Sequence, residues 1–218
     1  MKIEAIIFDL DGVLTDSMKF HVASWNYAFN HFHIFPSKKD FLFLEGLSYQ
    51  ETIEYISEKY NKKILEREKE KIYLLKKKKF SELFKFEIYP DILNFLKYLQ
   101  AKNIKLGLVS GANKEFVDKI VDKFFKDIFK VIISGGDIKK GKPSPEPYLT
   151  ATKKLGCNAK NIFVIENAPL GIKSATEANL KTLALTTTLD KKSLQGANKI
   201  FSSHQELIKY IKNITGAK

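Results

Sequence analysis

Cysteine and arginine are almost absent from this sequence. Cys157 is the only cysteine, so no intrachain disulfide staples the fold, and a reducing, cytoplasmic setting is expected. Arg67 is the only arginine among 37 basic residues. A guanidinium fork grips phosphates and guanine edges with two bonds at once, a geometry lysine cannot reproduce. The net charge of +12 suits a polyanionic partner by its sign. It is a lysine excess, however, and nucleic-acid binding is not expected as the primary role. No apolar run nears the roughly 20 residues needed to span a bilayer, and the N-terminal segment has no signal-peptide pattern, so no membrane partner is expected. What is present fits a globular chain: 218 residues, 44% hydrophobic and 28% charged. That is enough for one large domain, or one with an insertion, around a substantial core.

Short apolar runs rich in β-branched residues recur at 3–8, 104–109, 131–133, 162–165 and 182–185. Their length and composition predict strands buried on both faces. Helical spacing lies between the later runs, at 90–99, 113–125 and 145–155. The alternation predicts a doubly wound parallel α/β sheet, Rossmann-like in its winding. Residues 18–80 break the pattern with three helical stretches and no strand, the last of them the charged run 64–79. This reads as an all-helical cap domain (17–80) inserted into a core made of 1–16 and 81–218. The four lysines 76–79 read as a solvated helix end.

Chemistry gathers where the strands end. The first run closes on Asp9-Leu10-Asp11-Gly12, the second on Ser110-Gly111-Ala112-Asn113. Gly141-Lys142-Pro143 follows the third, and the fourth ends in Glu166-Asn167. In a parallel sheet such carboxyl ends line one crevice. If the chain is still extended at Asp9 and Asp11, both carboxylates share a face. They then repel unless something positive lies between them. A solvated turn, a metal site and a two-carboxylate catalytic site all fit that pair taken alone. Ser110 also reads as a helix N-cap, and Asp137 as a loop cap or a site acid.

In this order, "DLDGVLTDS", "VSGAN", "GKPSPEPY" and "VIENAPLGI" resemble the four motifs of the haloacid dehalogenase superfamily. The likeness is to its branch of β-phosphoglucomutase and sugar-phosphate phosphatases, and it runs to about residue 185. It implies Mg²⁺-dependent phosphoryl transfer. Asp9 would be the nucleophile and form an aspartyl-phosphate. Asp11 would act as general acid and base, a role the dehalogenases of the superfamily lack. Ser110, Gly111 and Lys142 would bind phosphate, and Asp9, Asp11, Glu166 and Asn167 would surround the metal. His21, Ser17 and Tyr49 would face the substrate from the cap.

The sequence departs from that pattern twice. Asn167 stands where the family carries a second acid, and Tyr49 stands where its mutases carry an arginine that grips a distal phosphate. Losing that anchor favours hydrolysis. The expected function is therefore a phosphomonoesterase for a small phosphorylated metabolite such as a sugar phosphate, working as a monomer. A phosphomutase is the alternative in the same fold. A lysine-rich nucleic-acid-associated protein with a vestigial site is the alternative from another class.

Overall fold

The computed structural model describes residues 2–216. Six strands form one parallel sheet: β1 (Ala5–Phe8), β2 (Lys105–Val109), β3 (Val131–Ile133), β4 (Ile162–Glu166), β5 (Lys181–Leu185) and β6 (Lys199–Phe201). Their order is β3-β2-β1-β4-β5-β6, so the winding reverses beside β1, where a doubly wound sheet opens its ligand crevice. Register brings the strand ends level. Phe8 sits between Leu108 and Ile165, so the residues that follow each strand emerge at one edge.

Period-two alternation explains why the runs are apolar throughout. Ile6, Phe8, Leu106, Leu108, Phe163 and Ile165 enter one core cluster, while Ala5, Ile7, Val109, Ile162 and Val164 enter the cluster on the opposite face. Helices α5 (Ile92–Ala101), α6 (Lys114–Phe124), α7 (Glu146–Leu155), α8 (Pro169–Glu177) and α9 (His204–Gly216) cover the two faces. Strand β6 was not expected. It has three residues on the sheet edge, with only Ile200 and Phe201 apolar. Its neighbour Asn198 clamps it to β5, donating from its backbone N to Thr182 O (2.8 Å) and accepting from Thr182 N at its side chain (2.7 Å).

Four helices, not three, fill the insertion: α1 (Met18–Asn30), α2 (Lys38–Phe43), α3 (Tyr49–Lys59) and α4 (Glu66–Leu83). Helix α4 runs three residues past the expected boundary at 80. The six-residue α2 is too short to show a period, and a capping box holds it instead. Asp40 N donates to Ser37 Oγ (3.3 Å), and Asp40 Oδ2 accepts from Ser37 N (2.8 Å). A second box, Ser48 with Glu51, starts α3. The insertion has its own apolar cluster, which includes Phe29, Phe41, Ile53, Ile56 and Ile72 and joins the sheet side through Ile172, Ala184, Leu189 and Leu194.

Candidate active site

The chain leaves β1 at Phe8 and turns at once. Leu14 N and Thr15 N both donate to Leu10 O (2.9 and 3.0 Å), and Gly12 N donates to Thr15 O (2.8 Å). Gly12 has φ +80°, and a Cβ there would lie 2.2 Å from Asn167 Nδ2. Both its conformation and the space beside it thus require glycine. Because the strand has already ended, Asp9 and Asp11 take different partners.

Asp9 is buried and its Oδ1 accepts from Lys142 Nζ (2.5 Å). Lys142 also donates to Glu166 Oε1 (2.6 Å), which takes a further bond from Tyr148 OH (2.6 Å). Glu166 Oε2 accepts from the backbone N of Asn167 (3.0 Å) and of Ala168 (3.3 Å). Burial pushes the Asp9 carboxyl well above its usual range; Lys142 opposes this, and Glu166 and Asp11 add to it. The Lys142 pKa is raised as well. Burial favours its neutral form, but Asp9 and Glu166 outweigh burial and hold it protonated.

Asp11 faces the insertion. Ser17, at the N-cap position of α1, makes no cap bond and donates its hydroxyl to Asp11 Oδ1 instead. His21 Nε2 lies 3.4 Å from the same oxygen, an ion-pair distance without hydrogen-bond geometry. Lys76 Nζ lies 3.2 Å from His21 Nδ1. Burial would raise the Asp11 pKa, but His21, Ser17 and Lys76 together bring it below the ordinary value. His21 is lowered by burial first and then by Lys76. Lys76 is pushed down to about 8, chiefly by burial. The expected solvated lysine run is thus corrected at its first member. Helix α4 points Lys76 inward, over the rings of Phe80 (4.8 Å) and Trp25 (5.6 Å).

A cavity of about 520 Å³ between sheet edge and insertion collects Asp9, Asp11, His21, Tyr49, Gly111, Lys142 and Glu166. Ser110, Gly111 and Lys142 line an adjoining cavity of about 130 Å³. Asn113, not Ser110, caps α6, since Phe116 N donates to Asn113 Oδ1 (2.9 Å). Asp137 is a loop cap, accepting from Ser134 N (2.8 Å) and Ser134 Oγ (2.6 Å). Tyr49 stacks on Tyr73, with centroids 4.0 Å apart. His204 is structural: Nε2 meets Val13 O at 2.8 Å.

Sequence reasoning passed over two residues here, Lys76 and Glu45. Lys76 sits between Ile72 and Phe80 at intervals of four on the buried stripe of α4, a pattern that marks a lysine facing inward. Glu45 lies in the loop between α2 and α3, seated where Gly46 (φ +101°) packs against the Lys142 stem. Its carboxylate accepts from Asn167 Nδ2 (3.1 and 3.0 Å). Burial, then Asp9 and Glu166, raise its pKa well above the ordinary value.

The sequence profile of the haloacid dehalogenase-like hydrolase family matches residues 6–185. The chain belongs to that family. Within it, the chain is an enzyme of the branch that holds β-phosphoglucomutase-like proteins and sugar-phosphate phosphatases. Over 182 residues it is 27% identical to a phosphorylated carbohydrates phosphatase of Thermotoga maritima, covering 83% of each chain. Over 185 residues it is 31% identical to a beta-phosphoglucomutase of Bacillus subtilis, covering 81% of this chain and 80% of the other. A crystal structure of beta-phosphoglucomutase from Clostridium difficile superposes with a TM-score of 0.83 at 32% identity, covering 98% of this chain and 97% of that one. Among the described residues, no helix is long and apolar enough to cross a membrane.

Proposed function

We propose that the chain is a cytoplasmic, Mg²⁺-dependent phosphomonoesterase that acts on a small phosphorylated metabolite, a sugar phosphate by analogy with the relatives above, through an aspartyl-phosphate on Asp9. One observation carries the reading. Asp9, on the wall of a cavity of substrate size, is held by Lys142 at one oxygen, and its other oxygen is buried without a hydrogen-bond partner.

The residues present fit a magnesium ion. No three His, Cys, Asp or Glu side chains form a ready-made cage among the described residues, so the ligand set must draw on other oxygens. Asp9 Oδ2 and Asn167 Oδ1 are both buried and both lack a hydrogen-bond partner. Two idle hard oxygens suit a hard cation that completes its shell with water and phosphate oxygens. Asp9 and Asn167 would hold the ion, with Glu166 fixing the backbone at Asn167 and Ala168. When bound, it supplies positive charge against the phosphoryl oxygens.

The remaining steps belong to the protein. The Asp9 carboxylate, whose ionised form a cation beside it would favour against burial, attacks phosphorus, the phosphorus–ester oxygen bond breaks, and Asp11 gives its proton to the departing oxygen. Water then attacks phosphorus, Asp11 takes the water proton, and the Asp9–phosphorus bond breaks to release inorganic phosphate. Lys142 and the Ser110 hydroxyl stabilise the charge that develops on the transferred group. Asp11 is ionised in the resting site, and an arriving phosphate dianion favours its protonation.

A phosphomutase is the second reading, favoured by the lysines Lys76, Lys77 and Lys119 on the cavity wall. Tyr49, stacked on Tyr73, favours hydrolysis because it offers no charge to a distal phosphate. Phosphate release from a panel of phosphorylated metabolites, with and without Mg²⁺, tests the assignment. Activity should require Mg²⁺ and vanish in Asp9→Asn. Substantial turnover by purified Asp9→Asn removes the covalent route. Interconversion of β-glucose 1-phosphate and glucose 6-phosphate faster than phosphate release establishes the mutase instead.

A further inference from the structure

We propose that Glu45 is a positioning residue for the metal. It supplies from the insertion, through Asn167, the carboxylate that position 167 lacks, and it thereby couples metal binding to docking of the insertion. The inference rests on the functional reading above.

The side chain of Asn167 is fully buried. Its Nδ2 donates to both oxygens of Glu45 and to Thr188 Oγ1 (3.1 Å). Both Glu45 oxygens lie on Nδ2, so the amide nitrogen faces Glu45 and the amide oxygen faces away, and a cation at that oxygen would favour the ionised, acceptor-only form of Glu45 that burial opposes. That oxygen, Oδ1, is the buried atom without a partner. An amide whose N–H groups lie on a carboxylate carries more negative charge at its oxygen. A carboxylate behind a metal-bound histidine strengthens and orients that ligand in the same way. Glu45 therefore makes a neutral amide a stronger and better-oriented oxygen donor.

Glu45 reaches Asn167 only while its loop rests on the core, with Gly46 against Lys142. If Glu45 strengthens the metal site, the metal must strengthen that docking by the same factor, because coupling between binding events is reciprocal. The pair is also matched in charge. An aspartate at 167 would put a second carboxylate where Glu45 now meets an N–H at 3.0 Å. The gain in metal affinity from the added charge would be opposed by repulsion from Glu45.

Calorimetric titration of the full chain with MgCl₂, and of Mn²⁺ followed by electron paramagnetic resonance, reads binding without turnover. Glu45→Gln should weaken both cations by about tenfold, the lower end of what loss of an outer carboxylate does to a metal site. Asn167→Asp alone should fail to tighten binding, whereas Asn167→Asp in the Glu45→Gln background should tighten it. A merely destabilising change at 45 cannot produce that difference between the two backgrounds. Equal affinities for wild type and Glu45→Gln, or the same gain from Asn167→Asp in both backgrounds, overturn the role of Glu45 and leave the metal reading standing. Wild-type protein that binds neither cation overturns the metal reading and this inference with it.

Discussion

Gly171 is the residue on which the acidic end of the site depends most directly. It is the third residue of α8, and a Cβ built there would lie 1.8 Å from Glu166 Oε1 and 2.1 Å from the carboxyl carbon. Ordinary contact begins near 3.4 Å, so Gly171→Ala must drive the carboxylate back by about 1.6 Å or shift the helix by as much. A move of that size breaks the bonds from Lys142 and Tyr148 to Oε1, each 2.6 Å, and those from two backbone N–H groups to Oε2. Lys142 is then left buried with Asp9 alone. Disrupting a buried ion pair from one side costs about 3–5 kcal/mol, which in a chain of this size lowers the melting temperature by roughly 10 °C. Misplacing a catalytic group by about 1 Å is enough for roughly a hundredfold loss of rate. The measurements are thermal unfolding and steady-state hydrolysis of a generic phosphomonoester. Gly136→Ala serves as the stability control, since a Cβ there meets nothing within 4 Å; it should change stability by no more than about 0.5 kcal/mol. If Gly171→Ala melts with wild type and turns over within about twofold of it, the carboxylate is not held as described, and the reasoning from Glu166 to Lys142 to Asp9 fails.

Two further predictions follow from displaced titrations. Lys76 is lowered to about 8 from 10.5, chiefly by burial. Between those values the unfolded chain holds a proton that the folded chain has released, so stability rises with pH, by roughly 3 kcal/mol in full. Lys76→Met should be the more stable protein at pH 7 and should lack that rise; urea midpoints that run parallel in the two proteins from pH 7 to pH 10 would refute this. Asp40 is lowered from 3.8 to about 2: burial would raise it, but Lys59, Tyr60 and Ser37 outweigh burial. Its contribution, roughly 2 kcal/mol, is present above the unfolded value and lost as pH falls through the folded one. Asp40→Asn should accordingly be destabilised by about that much at pH 7, and its stability should fall less steeply than that of wild type between pH 4 and pH 2.

The parts of the fold that were legible have a local cause. A strand buried on both faces needs an unbroken apolar run, and β1 to β5 have one, so the runs at 131–133 and 162–165 match observed strands to within a residue. Strand β6 has no such run. It is extended because β5 offers an open edge and Asn198 ties it there, which is a tertiary cause. Helix α2 is likewise the product of a capping box and too short to be periodic. The site divides along the same line. Asp9, Asp11, Ser110, Lys142 and Glu166 stand at strand ends or motif turns, where position follows from topology. Glu45 and Lys76 are ordinary charged residues in a loop and in a lysine-rich helix, and only packing of the insertion against the core puts them, half-buried, on the cavity wall.

That division has a functional side. The sheet edge supplies Asp9 and Glu166 from the ends of β1 and β4, with Lys142 joined to both from the loop after β3, and under the proposed function the same set would serve any phosphomonoester. The insertion supplies the groups that line the rest of the cavity: His21 and Lys76 beside Asp11, Tyr49 against Tyr73, Glu45 behind Asn167. Lys76 illustrates how the two halves act on each other. It is expensive to bury, and its charge lowers the pKa values of both His21 and Asp11. A group held at that expense by the insertion, and acting on Asp11 of the core, would under the proposed function tune the reaction to the docked state. On the proposed mechanism the aspartyl-phosphate would form beneath the insertion, which would shield it from stray water.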